Sequence, residues 1–244
     1  MTAPLRRVVD GLVDLVFPRR CVACGVAGAW LCPSCAQGLE PIGAGCLRCG
    51  APARRPLAGC PECRGRELAF ASARAAFRYE GPARRLVTAC KFRSFRSLAD
   101  EMSELAGGAF ERCIAALAGA APVDAVTWVP VHGDRRLERG FDQAELLARR
   151  LAAHAGLPAV PLLRRRPGGR RQSGLGAAQR AENVRAAFAV DERALRKAGT
   201  VKKLVIVDDV YTTGETLHEC SLGLRSAGLV PHAFAFARAA RLRR

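Results

Sequence analysis

Eight cysteines in one short stretch constrain this chain more than any other feature of its sequence. They form four C-x-x-C pairs: Cys21/Cys24, Cys32/Cys35, Cys46/Cys49 and Cys60/Cys63. A C-x-x-C turn places two thiolates on one edge of a tetrahedron, and two such turns complete a Cys₄ zinc site. We therefore predict two structural zinc ions, with consecutive pairs sharing a site; a crossed pairing is the alternative. Four protein thiolates leave no open position for catalysis.

The other interpretations of these cysteines are disulfides and redox chemistry. Disulfides need an oxidising compartment, and thioredoxin-like chemistry needs one C-x-x-C at the start of a helix rather than four in a row. Residues 1–17 have an apolar pattern, but Asp10 and Asp14 interrupt it and no small-residue cleavage site follows before Cys21. This predicts an amphipathic helix rather than a signal peptide. No run approaches the roughly 18 apolar residues of a membrane span, so we expect a cytoplasmic protein without a transmembrane segment.

The pattern of the chain changes after the cysteine cluster. Residues 1–68 are rich in Cys, Gly and Pro and need a metal to hold them together, whereas residues 69–244 alternate strands and helices. We expect strands over 69–79, 124–131, 203–207 and 230–236, and helices over 83–118 (two, broken near Gly107 and Gly108), 141–155 and 216–227. This alternation predicts a parallel α/β sheet. Cys90, Cys113 and Cys220 fall in the helices and are expected in the core.

The charge of the chain indicates an anionic partner. Of the 244 residues, 39 are Lys or Arg and 22 are Asp or Glu, so the formal net charge is +17. Nucleic acid, polyphosphate and an acidic membrane surface all fit such a charge. With 50% hydrophobic and 25% charged residues, the composition excludes a disordered chain or a simple coiled coil.

Residues 204–217, LVIVDDVYTTGETL, carry the clearest chemistry. A buried parallel strand would deliver Asp208 and Asp209 to the carboxyl edge of the sheet, where α/β proteins bind ligands. The following turn offers amides and hydroxyls to a phosphate at a helix N-terminus. Acids beside a phosphate site suit a sugar phosphate, and the missing Gly-Lys-Ser/Thr excludes a Walker A loop. The alternative is an acid-capped strand followed by an ordinary capped helix.

Two basic elements accompany this motif. Residues 161–185 contain seven Arg and one Glu among several glycines. They fit either a mobile loop that closes over the site or a solvated basic loop. In residues 91–96, basic and aromatic side chains interleave as in proteins that bind single strands by stacking and phosphate contacts. The nucleic-acid candidates there are Lys91, Arg93, Phe95 and Arg96, although Phe92 and Phe95 also have the spacing of core residues.

The segment 207–217 resembles the phosphoribosyl-pyrophosphate (PRPP) signature of type I phosphoribosyltransferases. With four C-x-x-C pairs ahead of it, the whole chain resembles the ComF family, which is associated with DNA uptake in competence. Residues 86–92, 129–132, 139–149 and 171–188 agree with that family in order, except that Asp142 stands where Asn is usual. The resemblance implies a type I phosphoribosyltransferase-like parallel sheet joined to a small N-terminal double zinc ribbon.

The resemblance also implies roles for individual residues. Asp208 and Asp209 would hold the ribose hydroxyls, and four residues would cradle the 5′-phosphate: Thr212, Thr213, Gly214 and Thr216. Arg139 would act with the two acids in catalysis, and other arginines would face the pyrophosphate: Arg135 and Arg136 after the second strand, Arg164 and Arg165 in the basic loop. Mg²⁺ would bridge pyrophosphate and ribose oxygens.

The function expected from these observations is PRPP binding coupled to DNA handling. Transfer of the phosphoribosyl group to an unknown acceptor would accompany it, with single-stranded DNA and competence proteins as partners. One rival is a non-enzymatic adaptor that senses PRPP. The other is a nucleobase salvage transferase, against which Thr212 argues, because purine enzymes often carry Asp there.

Overall fold

A four-stranded parallel sheet organises the chain in the computed structural model, which describes residues 19–92, 96–119, 121–131, 141–166 and 187–240. Its strands lie in the order β1-β6-β5-β2. They are β1 (Ala73–Arg78), β2 (Ala125–Trp128), β5 (Lys203–Tyr211) and β6 (Val230–Arg238). Every neighbouring pair is parallel, with Val207 paired to both Trp128 and Phe234. The predicted parallel α/β sheet is confirmed.

Helices and the N-terminal unit cover both faces of this sheet. The described helices are α1 (Pro33–Ala36), α2 (Gly81–Phe92), α3 (Arg96–Leu117), α4 (Gln143–His154), α5 (Glu192–Ala198) and α6 (Glu215–Ser226). Alternate residues of β5 point to opposite faces. Val205 and Val207 join a core with α2, α3 and α4, while Leu204 and Ile206 join a second core with α6. Of the helices described, none combines the length and the apolar composition that a bilayer span requires.

The long helical region is divided differently from the prediction. Two helices are present, but α2 ends at Phe92 and α3 begins at Arg96. The predicted break near Gly107 and Gly108 is wrong, because both glycines lie inside α3. Each costs about 1 kcal/mol in helix propensity, and the buried neighbours Ala106 and Phe110 offset that cost by packing.

Three other elements were not predicted from the sequence. β3 (Leu163–Arg165) pairs antiparallel with β4 (Phe188–Val190) in a separate ribbon, so the predicted loop over 161–185 begins with a strand. Helix α5 follows, capped by Asp191, whose Oδ1 accepts from Ala194 N at 2.9 Å. β5 is also longer than expected and continues through Asp208 and Asp209 to Tyr211.

The N-terminal unit packs directly on the α/β unit. Trp30 lies in the core with α2 and α3, and its Nε1 donates to Ser97 Oγ at 3.0 Å. Cys46, Cys49 and Cys63 lie in the other core, with α6. The division at 68/69 stays a prediction, and the helix expected over residues 1–17 lies outside the described residues. Cys90, Cys113 and Cys220 are buried in the cores as expected.

Candidate functional site

Two clusters of four cysteines have the geometry of zinc sites. Cys21, Cys24, Cys32 and Cys35 form one, and Cys46, Cys49, Cys60 and Cys63 form the other; in each, all sulfurs lie within 4.8 Å of one another. The Sγ–Sγ distances include 3.6 Å for Cys24–Cys32 and 3.5 Å for Cys49–Cys60. A tetrahedral ion with Zn–S bonds of about 2.3 Å needs edges of about 3.8 Å. The predicted pairing of consecutive C-x-x-C turns is confirmed.

The thiols of the first cluster do not ionise equally without a cation. Burial raises the pKa of Cys21, but backbone N–H groups, including that of Cys32 at 3.4 Å, outweigh it and bring the pKa to about 6. The neighbouring Cys32 and Cys24 thiols raise the pKa of Cys35 to about 12. Zinc binding to this cluster therefore releases protons from its thiols.

An acidic pair lies near the carboxyl end of β5. Asp209 N donates to Asp208 Oδ1 at 2.8 Å. Burial, and after it the charge of Asp209, raises the pKa of Asp208 well above its ordinary value. Two adjacent carboxyl groups in a half-buried position favour a ligand that brings cations or hydroxyl groups to them.

Lys91 from α2 partly neutralises this pair. Its Nζ lies 2.9 Å from Asp209 Oδ2, and both side chains are largely shielded from water. A nucleic-acid candidate is thus placed at the predicted sugar-phosphate site. Arg96, at the start of α3, faces the Phe141 ring, with Cζ 5.9 Å from the ring centroid. The other candidates, Arg93 and Phe95, lie outside the described residues.

Asp142 anchors the segment that follows β2. It is 4% exposed, and its Oδ1 and Oδ2 accept from Glu145 N at 3.1 Å and from Val131 N at 3.0 Å. It therefore caps α4 and connects the start of α4 to Val131, the last described residue before segment 132–140. Burial raises the pKa of Asp142. Arg135, Arg136 and Arg139 belong to that segment and lie outside the described residues.

The predicted phosphate turn connects β5 to α6. Gly214 has φ +84°, a left-handed conformation that suits glycine. Helix α6 begins at Glu215, whose N–H donates to Thr213 Oγ1 at 3.4 Å. Thr212, Thr213 and Thr216 are exposed around this helix end. Free N–H groups and the helix dipole at such an end attract anions.

Arg164 and Arg165 lie in β3. Arg164 is exposed, while Arg165 lies over the Phe188 ring with Cζ 5.1 Å from its centroid. The glycine-rich remainder of the predicted loop, residues 167–185, lies outside the described residues. The assignment of these two arginines to pyrophosphate stays a prediction.

Two arginines at the site were missed by sequence reasoning. Arg66 donates to Thr213 O in the phosphate turn and lies 3.5 Å from Glu215. Arg238, at the end of β6, donates to Cys49 O and Glu62 Oε2, each at 2.7 Å. Their partners are 147 to 189 residues away in the sequence, so no local pattern could have identified them.

Comparisons with known proteins agree with these features. Residues 12–64 match the Double zinc ribbon domain. The chain is 33% identical over 107 residues to Competence protein F of Haemophilus influenzae, and the match covers 43% of this chain and 46% of that protein. It is 29% identical over 211 residues to DNA utilization protein YhgH of Salmonella typhi, covering 84% of this chain and 90% of the relative. The chain thus matches about half the length of the first relative and most of the second.

Two solved structures align with part of this chain. Glutamine PRPP amidotransferase from B. subtilis, complexed with ADP and GMP, aligns with a TM-score of 0.35 and 22% identity over 56% of this chain and 26% of that one. An adenine phosphoribosyltransferase aligns with a TM-score of 0.36 and 15% identity over 62% of this chain and 74% of that one. The expected resemblance to competence proteins with a zinc ribbon is confirmed by the sequence comparisons.

Proposed function

We propose that this chain, a double-zinc-ribbon relative of Competence protein F and of the DNA utilization protein YhgH, binds PRPP at the carboxyl edge of its sheet and acts in DNA handling. The ribose hydroxyls bind to Asp208 and Asp209, and the 5′-phosphate binds in the turn from Thr212 to Thr216. The relatives' names support the connection to DNA.

One observation carries the small-molecule part of this proposal. The acidic pair lies near the carboxyl end of a buried parallel strand, and a helix N-terminus follows after a short turn with a left-handed glycine. Carboxylates accept hydrogen bonds from hydroxyl groups, whereas helix N–H groups donate them to phosphate. A phosphorylated sugar offers both partners in one small molecule, since its hydroxyls lie on the ring and its phosphate on the carbon attached to the ring.

Mg²⁺ fits the same donor set. Hard cations prefer carboxylate, hydroxyl and phosphate oxygens, and Asp208 and Asp209 are the described residues that would lie beside such an ion. When bound, the ion would neutralise charge on the pyrophosphate. Lys91 already offsets the charge of Asp209 and lowers the cost of holding two adjacent acids.

The same site would support phosphoribosyl transfer. In that reaction a nitrogen nucleophile forms a bond to C1 of the ribose while the C1–O bond to pyrophosphate breaks, and pyrophosphate leaves with the electron pair. Cationic groups around the leaving group would supply the electrostatic stabilisation. Release of pyrophosphate from PRPP on addition of nucleobases or DNA would identify a transferase. Binding without release would identify a PRPP-sensing adaptor.

The proposal also includes single-stranded DNA. The net charge of +17 exceeds what one small anion requires, and Arg164 and Arg166 are exposed at the end of β3. Phosphate contacts to such arginines attract a nucleic-acid backbone regardless of sequence. Competence proteins that handle DNA are the partners this function implies.

Calorimetry with Mg²⁺ and PRPP tests the binding site. Asp209→Asn keeps the size of the side chain but removes a charged hydrogen bond worth about 1.5–3 kcal/mol, so affinity should fall at least about tenfold. Asp191→Asn is the matched control, because Asp191 caps α5, and it should leave the affinity unchanged. Equal affinities for wild type and Asp208→Asn/Asp209→Asn would overturn the assignment.

A further inference from the structure

The second zinc cluster contacts the predicted phosphate turn through a buried arginine. The Arg238 side chain is 2% exposed. Its Nη1 donates to Cys49 O at 2.7 Å, while its Nη2 donates to Glu62 Oε2 at 2.7 Å and lies 3.9 Å from Cys49 Sγ. The planar guanidinium group therefore connects one zinc ligand, Cys49, to Glu62, an acid that lies in the sequence between two of the other three ligands.

The same guanidinium lies over Tyr211, the last residue of β5. Arg238 Cζ is 4.1 Å from the centroid of the Tyr211 ring. The Phe70 ring lies edge-on to the Tyr211 ring, with the two centroids 6.1 Å apart. Tyr211 is 1% exposed, and its hydroxyl has no hydrogen-bond partner within the described part of the chain. Packing against the guanidinium group and against Phe70 fixes the position of this ring.

The Tyr211 ring also packs against the phosphate turn, at Gly214. A Cβ atom at Gly214 would lie 2.5 Å from Tyr211 Cε2, so the ring fills the space under the glycine. Arg66, three residues after Cys63, holds the outer side of the turn through Thr213 O and Glu215. Its own N–H donates to Cys63 O at 3.1 Å. Arg66 therefore contacts the turn directly and Arg238 contacts it through Tyr211, and both arginines depend on the second cluster.

We propose that the second zinc site is a structural part of the phosphate site, with Arg238 as the positioning residue that connects them. This inference rests on the function proposed above. With zinc bound, Cys49 and Glu62 fix the position of the guanidinium group, which packs on the Tyr211 ring. The ring in turn fixes the position of Gly214. Without zinc, four crowded thiols separate, and the buried cation loses the partners that make its burial tolerable.

The first zinc site provides the matched comparison. Arg85 of α2 donates to Ala23 O, between two ligands of the first site. This site packs in the core on the other face of the sheet. Loss of that site should destabilise its own packing but leave the phosphate turn in place. Only the second site should control phosphate affinity.

Arg238→Met and Arg85→Met test the connection without touching a zinc ligand. We expect Arg238→Met to keep two zinc ions per chain, to weaken Mg²⁺–PRPP binding at least about tenfold, and to speed amide hydrogen exchange in residues 212–216. Arg85→Met should change neither the affinity nor this exchange. Wild-type affinity and wild-type exchange in Arg238→Met would overturn the proposal.

Cys60→Ser and Cys24→Ser test the role of zinc itself. Each should reduce the metal content from two ions to one, but only Cys60→Ser should weaken binding and speed exchange in the turn. Equal effects of the two would contradict the proposal. If Cys60→Ser does not fold, Arg66→Met tests whether the ribbon holds the turn, because it releases Thr213 O with the zinc ligands intact. Wild-type exchange in residues 212–216 of that variant would contradict the connection. If the wild-type chain itself binds no PRPP, the proposed function fails, and exchange in residues 212–216 still decides the connection.

Discussion

Asp208 has a carboxyl group whose ionisation is opposed by its surroundings. Burial, and after it the neighbouring charge of Asp209, raises its pKa, so the folded chain holds a proton there more tightly than the unfolded chain does. As pH rises from the ordinary pKa of Asp toward the raised value, the unfolded chain loses its proton first, and the free energy of unfolding falls. Such a cost is typical of a binding site rather than of a structural residue.

We therefore expect Asp208→Asn to stabilise the fold while it weakens PRPP binding. At pH 7 its Tm should exceed that of the wild type by at least about 2 °C, since 1 kcal/mol corresponds to about 2–4 °C at this chain length. The difference should shrink as pH falls toward 4. Differential scanning calorimetry at several pH values measures it.

Asp124→Asn should lower the Tm at pH 7, which is the opposite of the effect expected for Asp208→Asn. The Asp124 carboxylate accepts from the N–H groups of Lys203 and Lys202, each at 2.8 Å, and these bonds lower its pKa. Its contribution is present above the ordinary pKa of Asp and is lost as pH falls. A lower Tm for Asp208→Asn than for the wild type at pH 7 would contradict the assignment of strain to the acidic pair.

Residues of the site were predictable where their role depends on neighbours in sequence. Asp208, Gly214 and the cysteine pairs belong to short motifs whose geometry follows from a strand end, a turn or a C-x-x-C spacing. Lys91 was identified as functional but assigned to nucleic acid, because its ion pair with Asp209 depends on how α2 packs. Arg66 and Arg238 gave no signal, since their partners meet them only after the ribbon and the sheet have come together.

At the level of elements, the turn between β5 and α6 depends on Gly214 for two separate reasons. Its φ of +84° disfavours any residue with a side chain, and a Cβ would collide with the Tyr211 ring. Gly199, after α5, also has a positive φ, +73°, but open space where a Cβ would lie. The two glycines therefore separate backbone strain from steric collision.

Gly214→Ala should destabilise the chain more than Gly199→Ala. The control should cost about 1–3 kcal/mol, the typical penalty for a side chain in a sparsely populated backbone conformation, and should leave PRPP affinity unchanged. Gly214→Ala should add the displacement of Tyr211 and abolish measurable PRPP binding. Chemical denaturation and calorimetry check both effects, and equal behaviour of the two variants would show that the Tyr211 ring does not support the turn.

The hydrophobic pattern was enough to predict the regular strands of the sheet. The elements that differ from the prediction depend on tertiary packing. Strands β2, β5 and β6 were found because buried parallel strands are continuous apolar runs. Helix α3 crosses two glycines that the sequence marks as a break, because its tertiary contacts outweigh their low propensity. The β3–β4 ribbon was missed because its two short strands flank a basic, glycine-rich segment that carries no alternation.

At the level of the whole molecule, excess charge is the property that the small-molecule site does not explain. If exposed arginines bind single-stranded DNA, the logarithm of affinity should fall linearly with the logarithm of salt concentration, with a slope of about −0.7 per phosphate contact. Replacing Arg164, Arg165 and Arg166 with Ala should flatten the slope by about two units without changing the zinc content. Fluorescence anisotropy with a labelled oligonucleotide measures the slope.

Arg54→Ala/Arg55→Ala is the control for this experiment. Both residues are exposed in the ribbon, away from β3, and their loss should leave the slope within one unit of the wild type. An interaction that does not respond to salt would contradict a role for phosphate contacts. The arginines of β3 would then serve PRPP and pyrophosphate alone.

The position of β6 in the sheet has a consequence for the order in which the protein is made. β6 is the last described strand in the chain but lies between β1 and β5 in the sheet. On the ribosome, β1 therefore waits without its neighbour while more than 150 further residues are synthesised, which takes about 8–30 s at 5–20 residues per second. The ribbon, which packs on this strand, is also synthesised long before β6. A nascent chain therefore holds eight reactive thiols near one another before the sheet can close. Early capture of zinc during translation would protect those thiols from oxidation and from the wrong metal until β6 arrives.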